Sequence, residues 1–435
     1  MNYFHQFIKE INSFLWSAPL MLLILGTHLY YTFRLHFIQK KVGKGIRLSV
    51  QSDEEGDGEV SPFATLATTL AATLGTGNII GISTAIALGG PGAVFWCWLT
   101  GIFGMATTYA ECYLSFRYRK KISDQKYAGG PMYILEYGLK SKSAAILFCI
   151  FTLLASFGVG CSTQAKAITE TAHNLWGYDE KVIGILAAIV TGLVIIGGVK
   201  KIGSICTKLV PAMGAFYIIG CIIILVINKD TILPAISLIV KSAFTTRAAC
   251  SGFIGSTLML SARHGIAKGL FTNEAGLGSA GIAAAASASS HPERQALVSM
   301  TATFWDTVVM WAITGLVIVS TILKDPGLTN SYSFADYTTA AFDQIPYVGS
   351  TILGISIICF ALATLIGWSY FGEKAVQYLF GEKGIKAYHL FYILAIFIGS
   401  IISLELVWDM TDTFNAMMAL PNIAALLLLA KEVKS

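Results

Sequence analysis

The chain has 435 residues, of which 55% are hydrophobic and only 13% charged, with a formal net charge of +5 and a mean hydropathy of +0.67. A soluble domain carries about 25% charged residues, so this composition excludes a disordered chain, a fibrous chain and an ordinary water-soluble enzyme and leaves a polytopic membrane protein. The positive charge is spread thinly along the chain, unlike the concentrated basic face of a nucleic-acid binder.

Runs long enough to cross a bilayer, roughly 17–25 apolar residues, fall near 14–36, 62–88, 91–116, 143–171, 181–199, 204–228, 253–287, 296–323, 348–371, 388–405 and 413–430. The fold class is therefore all-α integral membrane, with about eleven transmembrane helices. The first run is followed by Arg34, Lys40, Lys41, Lys44 and Arg47, the reverse of the basic-then-apolar order of a cleaved signal peptide. The stretches 231–246 and 331–345 are too short and polar to span, and read as amphipathic pieces lying on the surface. Further basic clusters are Arg117, Arg119, Lys120, Lys121 and Lys126 after the third run, Lys200 and Lys201 after the fifth, Lys374, Lys383 and Lys386 after the ninth, and Lys431 and Lys434 at the end. The positive-inside rule puts these in the cytoplasm, the N-terminus outside and the C-terminus inside.

Without the first run, ten remain as two sets of five, each headed by a Gly-interrupted run. Five is odd, so the sets enter the membrane from opposite sides, which is the outline of an inverted repeat with its site at the interrupted helices. The expected division is 1–57 (first helix and basic loop), 58–230 (first five helices), 231–252 (extracellular amphipathic connector) and 253–435 (second five helices).

The first interruption is Ala71-Ala72-Thr73-Leu74-Gly75-Thr76-Gly77-Asn78. Unwound backbone in a bilayer leaves unpaired N–H and C=O groups that cost several kcal/mol each, so it persists only facing protein or a ligand. Freed carbonyls suit a hard cation such as Na⁺, and the start of the next half-helix suits a carboxylate. The second is Gly269 to Ser279, which adds Glu274. An acid at membrane depth is either a functional group or a structural acid bonded across the break. Gly276-Leu-Gly278-Ser-Ala-Gly281 matches GxGxxG but lies inside an apolar helix with no strand before it. It is no dinucleotide fingerprint, and small residues for close helix packing account for 276–286.

Other polar residues at depth have two readings each. Gln164 either bonds a substrate or bonds between helices, and Lys166 snorkels outward. Asp306 either coordinates an ion or bonds a broken helix. Thr364 and Trp368, four apart, share a helix face, and Trp368 is either a pocket wall or an interfacial anchor. Glu111 is expected to pair with a basic neighbour, and Arg263 and His264 to make gate or loop contacts. The eight cysteines are scattered through apolar runs without metal-ligand spacing, so they read as small hydrophobes. HExxH, GxSxG and P-loop motifs are absent, so no enzyme is expected.

The blocks SPFATLATTLAATLGTGNIIGISTAIALGGPGAVFWCW, YAGGPMYILEYGL, GLFTNEAGLGSA, HPERQALVSM followed by FWDTVV, GWSYFGEKAVQYLFG and TDTFNAMMALPNIAALLLL run in order from about 61 to 430. Together they resemble the sodium:alanine (alanine or glycine:cation) symporter family. The resemblance implies a LeuT-type 5+5 inverted repeat with one extra N-terminal helix. It also implies Na⁺-driven import of a small neutral amino acid such as alanine or glycine across a bacterial inner membrane. No cofactor is implied beyond Na⁺ as coupling ion. The implied partners are the amino acid, Na⁺ and the bilayer, without nucleic acid, and no oligomeric state is specified. The implied substrate shell is Thr76, Gly77, Asn78, Gly160, Gln164, Phe271, Asn273, Gly276, Thr364 and Trp368. One implied ion site uses the Ala71 and Leu74 carbonyls with Thr364, and a second uses Thr73, Asn78, Thr272 and Asp306. The chain departs from the family pattern at Cys161, Lys268 and Gly281, where Asn, Arg and Pro are usual. Cys161, expected beside the pocket wall, bears on substrate identity. Two rival readings stay open: a proton-coupled transporter using Glu274 or Asp306, and a passive channel or sensor.

Overall fold

The computed structural model describes residues 18–434 except 52, 54–55, 124–125, 245–257, 333–335 and 403, together with 6–7, 10–11 and 15. The start of the 253–287 run, the end of the 231–252 connector and Cys250 thus lie outside the described residues. The described chain is helical apart from one antiparallel pair, β1 (Lys120–Ser123) with β2 (Lys126–Ala128).

In chain order the helices are α1 (Ala18–Arg34), α2 (Val42–Ser49), α3 (Pro62–Thr73), α4 (Ile80–Gly89), α5 (Gly92–Arg117), α6 (Lys142–Trp176), α7 (Glu180–Ile195), α8 (Gly198–Ile227), α9 (Ile232–Phe244), α10 (Leu258–Asn273), α11 (Ser279–Ala284), α12 (Pro292–Lys324), α13 (Tyr337–Phe342), α14 (Gly349–Phe380), α15 (Glu382–Ile401) and α16 (Leu404–Leu428). Among the described residues, six of these (α5, α6, α8, α12, α14 and α15) are long and apolar enough to cross a membrane. The run near 62–88 is two short helices, α3 and α4. The run near 253–287 is likewise α10 and α11.

Local chemistry sets these ends. α3 starts with Pro62 in its first turn, and the Ser61 hydroxyl accepts the Ala64 N–H at 3.2 Å, the usual N-cap arrangement. α7 is capped by Asp179, which accepts the N–H groups of Lys181 and Val182. α6 and α12 each widen into a π-type turn, at Gly158–Ser162 and Phe304–Trp311, a distortion common at functional sites. Close crossings use small residues. A Cβ on Gly367 of α14 would meet the Ala72 backbone nitrogen of α3 at 2.7 Å, and one on Gly101 of α5 would meet Thr307 of α12 at 2.6 Å. The main apolar cluster gathers side chains from α3, α5, α6, α8, α12 and α14, so the core encloses the broken helices.

Three expectations change. The 331–345 segment is not a surface piece, because Tyr337, Thr338 and Phe342 of α13 are buried. The Thr338 hydroxyl donates to the Ile79 carbonyl at 2.7 Å, which ties α13 to the first break. α9 buries Ala235, Ile239 and Ala243 at four-residue spacing and exposes Leu233 and Ile236, so its outer face is apolar. Lys374 lies within α14 rather than in a loop, buried and bonded to Gln377 at 3.1 Å.

Candidate functional site

The first break occupies Leu74–Ile79. Leu74 closes α3 through its N–H to the Leu70 carbonyl, Gly75 is extended, and Thr76–Asn78 make one 3₁₀ turn before α4. Gly75 has no room for a side chain, because a Cβ there would meet the Thr364 hydroxyl at 2.8 Å. That hydroxyl donates to the Ala71 carbonyl at 3.1 Å and the Phe360 carbonyl at 3.0 Å.

The second break occupies Glu274–Gly278. Glu274, Gly276 and Gly278 have φ of +52°, +91° and +101°, a left-handed conformation that glycine adopts freely and glutamate does not. The Asn273 side-chain oxygen accepts the Ala275 N–H at 3.0 Å. The N–H groups around the start of α11 are taken by a carboxylate of the protein itself. Glu111 of α5 accepts from Gly276 at 3.3 Å, Gly278 at 3.1 Å and Gly281 at 3.0 Å. Asn422 of α16 donates both to Glu111 (3.2 Å) and to the Gly276 carbonyl (2.9 Å). Glu111 therefore does not pair with a basic neighbour, as expected from its position near the end of a run. It holds the second break in place of an external anion. The glycines divide accordingly: Gly276 makes the turn where a Cβ would meet only ordinary contacts, Gly278 makes the turn and also packs tightly on Pro131 and Phe148, and Gly281 packs against Ser115.

The first break faces the last turn of α10, just before the second break, since a Cβ on Gly77 would lie 3.6 Å from Thr272 Oγ1. The Asn78 amide donates to the Asp306 carboxylate at 2.6 Å, and the Thr307 hydroxyl donates to its other oxygen at 2.7 Å. Thr76 donates to Gln164 at 3.3 Å, and Gln164 in turn donates to the Val159 carbonyl freed by the π-turn, at 3.1 Å. The Trp368 indole N–H donates to Glu274 at 3.2 Å, and the Ser279 hydroxyl donates to the other Glu274 oxygen at 2.5 Å. Trp368 stands directly on Gly160, where a Cβ would overlap the indole stem. Phe271 is half-buried, with the Lys268 ammonium 5.6 Å above its ring. The Thr272 hydroxyl is turned back to the Lys268 carbonyl.

Buried polar atoms at the breaks without a hydrogen-bond partner in the protein include Thr73 Oγ1, Asn78 Oδ1 and Asn273 Nδ2, and Asn422 Oδ1 is likewise unpartnered behind the second break. Buried polar groups are rarely left so, and the first three, two acceptors with one donor, are a match for a small polar ligand. Cys161 is not part of this wall. It is buried against Ala165 and Ala361, with its thiol 3.8 Å from the Tyr392 carbonyl.

The sequence matches the sodium:alanine symporter family over residues 1–435. The chain belongs to that family. It is 44% identical over 440 residues to the sodium/alanine symporter AgcS of Methanococcus maripaludis, covering 99% of this chain and 96% of that protein. It is 35% identical over 430 residues to a Bacillus subtilis protein named probable sodium/glutamine symporter GlnT, covering 97% and 87%. Its fold resembles that of a Na⁺-coupled sialic acid symporter in a substrate-bound outward-open state, with a TM-score of 0.58, 15% identity and coverage of 94% and 86%. This sodium:alanine symporter homologue is thus a multi-pass membrane transporter, not an enzyme, and its family carries out Na⁺-coupled amino-acid symport.

Residue reasoning alone missed Asn422 and Ser279 as supports of the second break. Ser279 directly follows the Gly-rich turn, and Asn422 is the one amide in the run ALPNIAALLLLA; both were signals available in the sequence. Lys166 is not merely snorkelling, because it pairs with Glu180 at 2.7 Å and Glu170 at 3.3 Å.

Proposed function

We propose that this symporter imports a small neutral amino acid, alanine or glycine, with Na⁺, binding both between the two breaks. The observation that carries the reading is the trio of unpartnered atoms beside the two breaks, closed by Trp368 standing on Gly160. Glu111 already fills the start of α11, so the substrate carboxylate goes to the first break, at the start of α4, with Asn273 Nδ2 as a further donor. Asn78 Oδ1, Thr73 Oγ1 and Asp306 offer oxygens to one cation. The Thr364 hydroxyl and the Ala71 and Leu74 carbonyls offer a second cluster, where Na⁺ would take the place of the hydrogen bond that Thr364 now donates to Ala71, with the hydroxyl turning its proton away and keeping it. Thr76, Gly77 and Gln164 line the first break, and Phe271, Thr272 and Gly276 the second. Glu274 orients Trp368. Oxygen donors of this kind suit a hard cation. The buried Trp368 limits the side chain to a small one.

The reading includes alternating access by a LeuT-type 5+5 inverted repeat after α1, with the N-terminus outside and the basic loops inside a bacterial plasma membrane. A latch on the basic-loop side supports a state shut to the cytoplasm. Arg119 donates to the carbonyls of Asp57 (2.9 Å), Ser287 (2.7 Å) and Ala285 (3.3 Å), with its guanidinium over Phe116 and Tyr127. Burial lowers the Arg119 pKa to about 10, which leaves it charged at neutral pH. Asp53 accepts the Ser290 N–H and hydroxyl, both at 2.9 Å, and pairs with Arg294 at 3.0 Å. The segment entering α3 is thereby tied to the segment leaving α11. Inward opening requires these contacts to part.

Equilibrium binding of labelled alanine to the purified protein tests the site. Binding is expected in Na⁺ but not in K⁺, and Asn78→Ala is expected to lose it while the protein remains folded and monodisperse. Wild-type affinity in Asn78→Ala would place the site elsewhere. Glu274 and Asp306 are buried acids with only neutral donors around them. They keep a proton-coupled reading in play, which predicts binding that is indifferent to Na⁺.

A further inference from the structure

An apolar crevice runs along the outside of the first half-helix and ends at the first break. Its inner wall is Leu66, Leu70 and Leu74 of α3, and its outer wall is Pro211, Gly214 and Ile218 of α8. Apart from Ser49 and Trp305, every lining side chain is apolar or glycine. From Phe63 to Leu74 the crevice spans eleven residues of helix rise, about 16 Å, which is about half of the ~30 Å hydrocarbon core of a bilayer. Its volume is about 360 Å³, and its elongated apolar lining suits an extended hydrocarbon chain, whose atoms pack at about 4 Å. The crevice is open: a Cβ on Gly214 would meet nothing within 4 Å.

The mouth of the crevice is basic. Helix α2 contributes Ile46, Ser49 and Val50 to it and is fixed in place at Gly45, whose missing side chain lets it press on the Leu297 carbonyl and Thr301 at the start of α12. With that face docked, Lys44 and Arg47 are left exposed, next to exposed Lys40 and Lys41 in the preceding turn. Lys44 and Arg47 thus share a two-turn helix with Ile46 and Ser49, which line the mouth of a slot about half a bilayer core deep.

We propose that this crevice is a binding site for one anionic phospholipid, its acyl chain lying between α3 and α8 and its headgroup held by Lys44 and Arg47. The proposal rests on the membrane reading of the chain and not on the identity of the transported substrate. Its consequence is mechanical. The chain end reaches Leu74, the residue that closes α3 at the first break, so an occupied crevice props α3 against α8 on the side where inward opening must occur.

The full-length protein, purified and exchanged into mixed micelles of phosphatidylglycerol and phosphatidylcholine, is examined by native mass spectrometry during stepwise delipidation. Each basic residue near an anionic headgroup contributes about a fivefold preference, so two contribute about thirtyfold. The wild type is expected to keep one phosphatidylglycerol after other lipids are lost. Gly214→Leu, whose Cβ enters open space and whose branch extends into the crevice, and the double variant Lys44→Glu/Arg47→Glu are each expected to lose that molecule while remaining folded. Retention of phosphatidylglycerol by Gly214→Leu as in the wild type, or equal retention of phosphatidylcholine by the wild type, overturns the proposal. Retention measures no transport, so failure of the symport reading would leave this result unaffected. In proteoliposomes, phosphatidylglycerol is further expected to change the uptake rate of the wild type and not that of Gly214→Leu; the same lipid response in both would overturn the mechanical consequence.

Discussion

Glu111→Gln is the sharpest perturbation of the second break. Four donors and no acceptor face the Glu111 side chain: the N–H groups of Gly276, Gly278 and Gly281 and the amide of Asn422. Three of these converge on one oxygen and the Gly281 N–H meets the other. A glutamine keeps the shape but replaces one acceptor by a second NH₂ group. In its better orientation it accepts three bonds and sets its own N–H against that of Gly281. Hydrogen bonds to a charged group contribute about 1.5–3 kcal/mol and neutral ones about 0.5–1.5 kcal/mol, while an orphaned buried donor costs about 1–3 kcal/mol. Three bonds weakened by about 1 kcal/mol each and one orphan give a loss of about 4–6 kcal/mol, a large part of a typical stability of about 5–15 kcal/mol. Glu111→Asp keeps the charge but withdraws the carboxylate by one methylene, so it is expected to fail to restore the wild type. The assay is thermal melting in detergent by size-exclusion, together with uptake in vesicles. Both variants are expected to melt markedly lower and to lose uptake. A Glu111→Gln protein with wild-type melting and wild-type KM would refute the claim that this carboxylate holds the break.

Other outcomes follow from the same geometry. Thr364→Val removes the hydroxyl that sits against the Ala71 carbonyl and Gly75. It is expected to raise the half-saturating Na⁺ concentration about tenfold, equivalent to one buried hydrogen-bonding group, measured from uptake against Na⁺ at fixed ionic strength. Gly160→Ala puts a methyl where the Trp368 stem lies, so the indole must shift, with alanine uptake and melting temperature both expected to fall; unaltered uptake and unaltered competition by larger amino acids would remove Trp368 from the pocket wall. Asp53 supplies a pH dependence. Burial raises its pKa, but the Ser290 N–H and hydroxyl, Arg294 and Ser289 outweigh burial and hold it below 3.8. A carboxylate depressed in the folded state contributes stability that is present above its unfolded value and lost as pH falls through its folded value. The melting difference between the wild type and Asp53→Asn is therefore expected in full at neutral pH and to shrink as pH falls below 3.8 towards the lower folded value; a difference independent of pH would exclude the Asp53 latch as its source.

The positions of both breaks were legible from Gly75-Thr-Gly77 and Ala275-Gly-Leu-Gly278, because glycines clustered with polar residues inside an apolar run mark backbone that opens towards protein or ligand rather than lipid. Glu274 and Asp306 stood out for the same reason. What each bonds to was not legible, because the partner lies far away in sequence: Glu111 meets residues 165 to 170 positions later, and Asn78 meets Asp306 across 228. The span pattern misplaced Glu111 because its position near the end of a run resembles that of an acid paired with the basic loop after it. It placed 331–345 on the surface because polar residues such as Thr338 look solvated until a buried carbonyl, here that of Ile79, receives them. The latch of Arg119 was hidden among five basic residues that together gave only an orientation signal. The sequence neighbours of Cys161 put it beside the wall; that its thiol meets the Tyr392 carbonyl at 3.8 Å was not legible, because Tyr392 lies 231 positions later.

Na⁺-driven accumulation tests the central claim most directly. The protein is reconstituted into vesicles loaded with K⁺ and diluted into labelled alanine with Na⁺, K⁺ or choline outside, at fixed pH. Alanine is expected to accumulate above its external concentration only with Na⁺ outside, and to leak back when a Na⁺ ionophore collapses the gradient. Equal accumulation in K⁺ or choline, or uptake that merely equilibrates, would contradict Na⁺-coupled symport at the paired breaks.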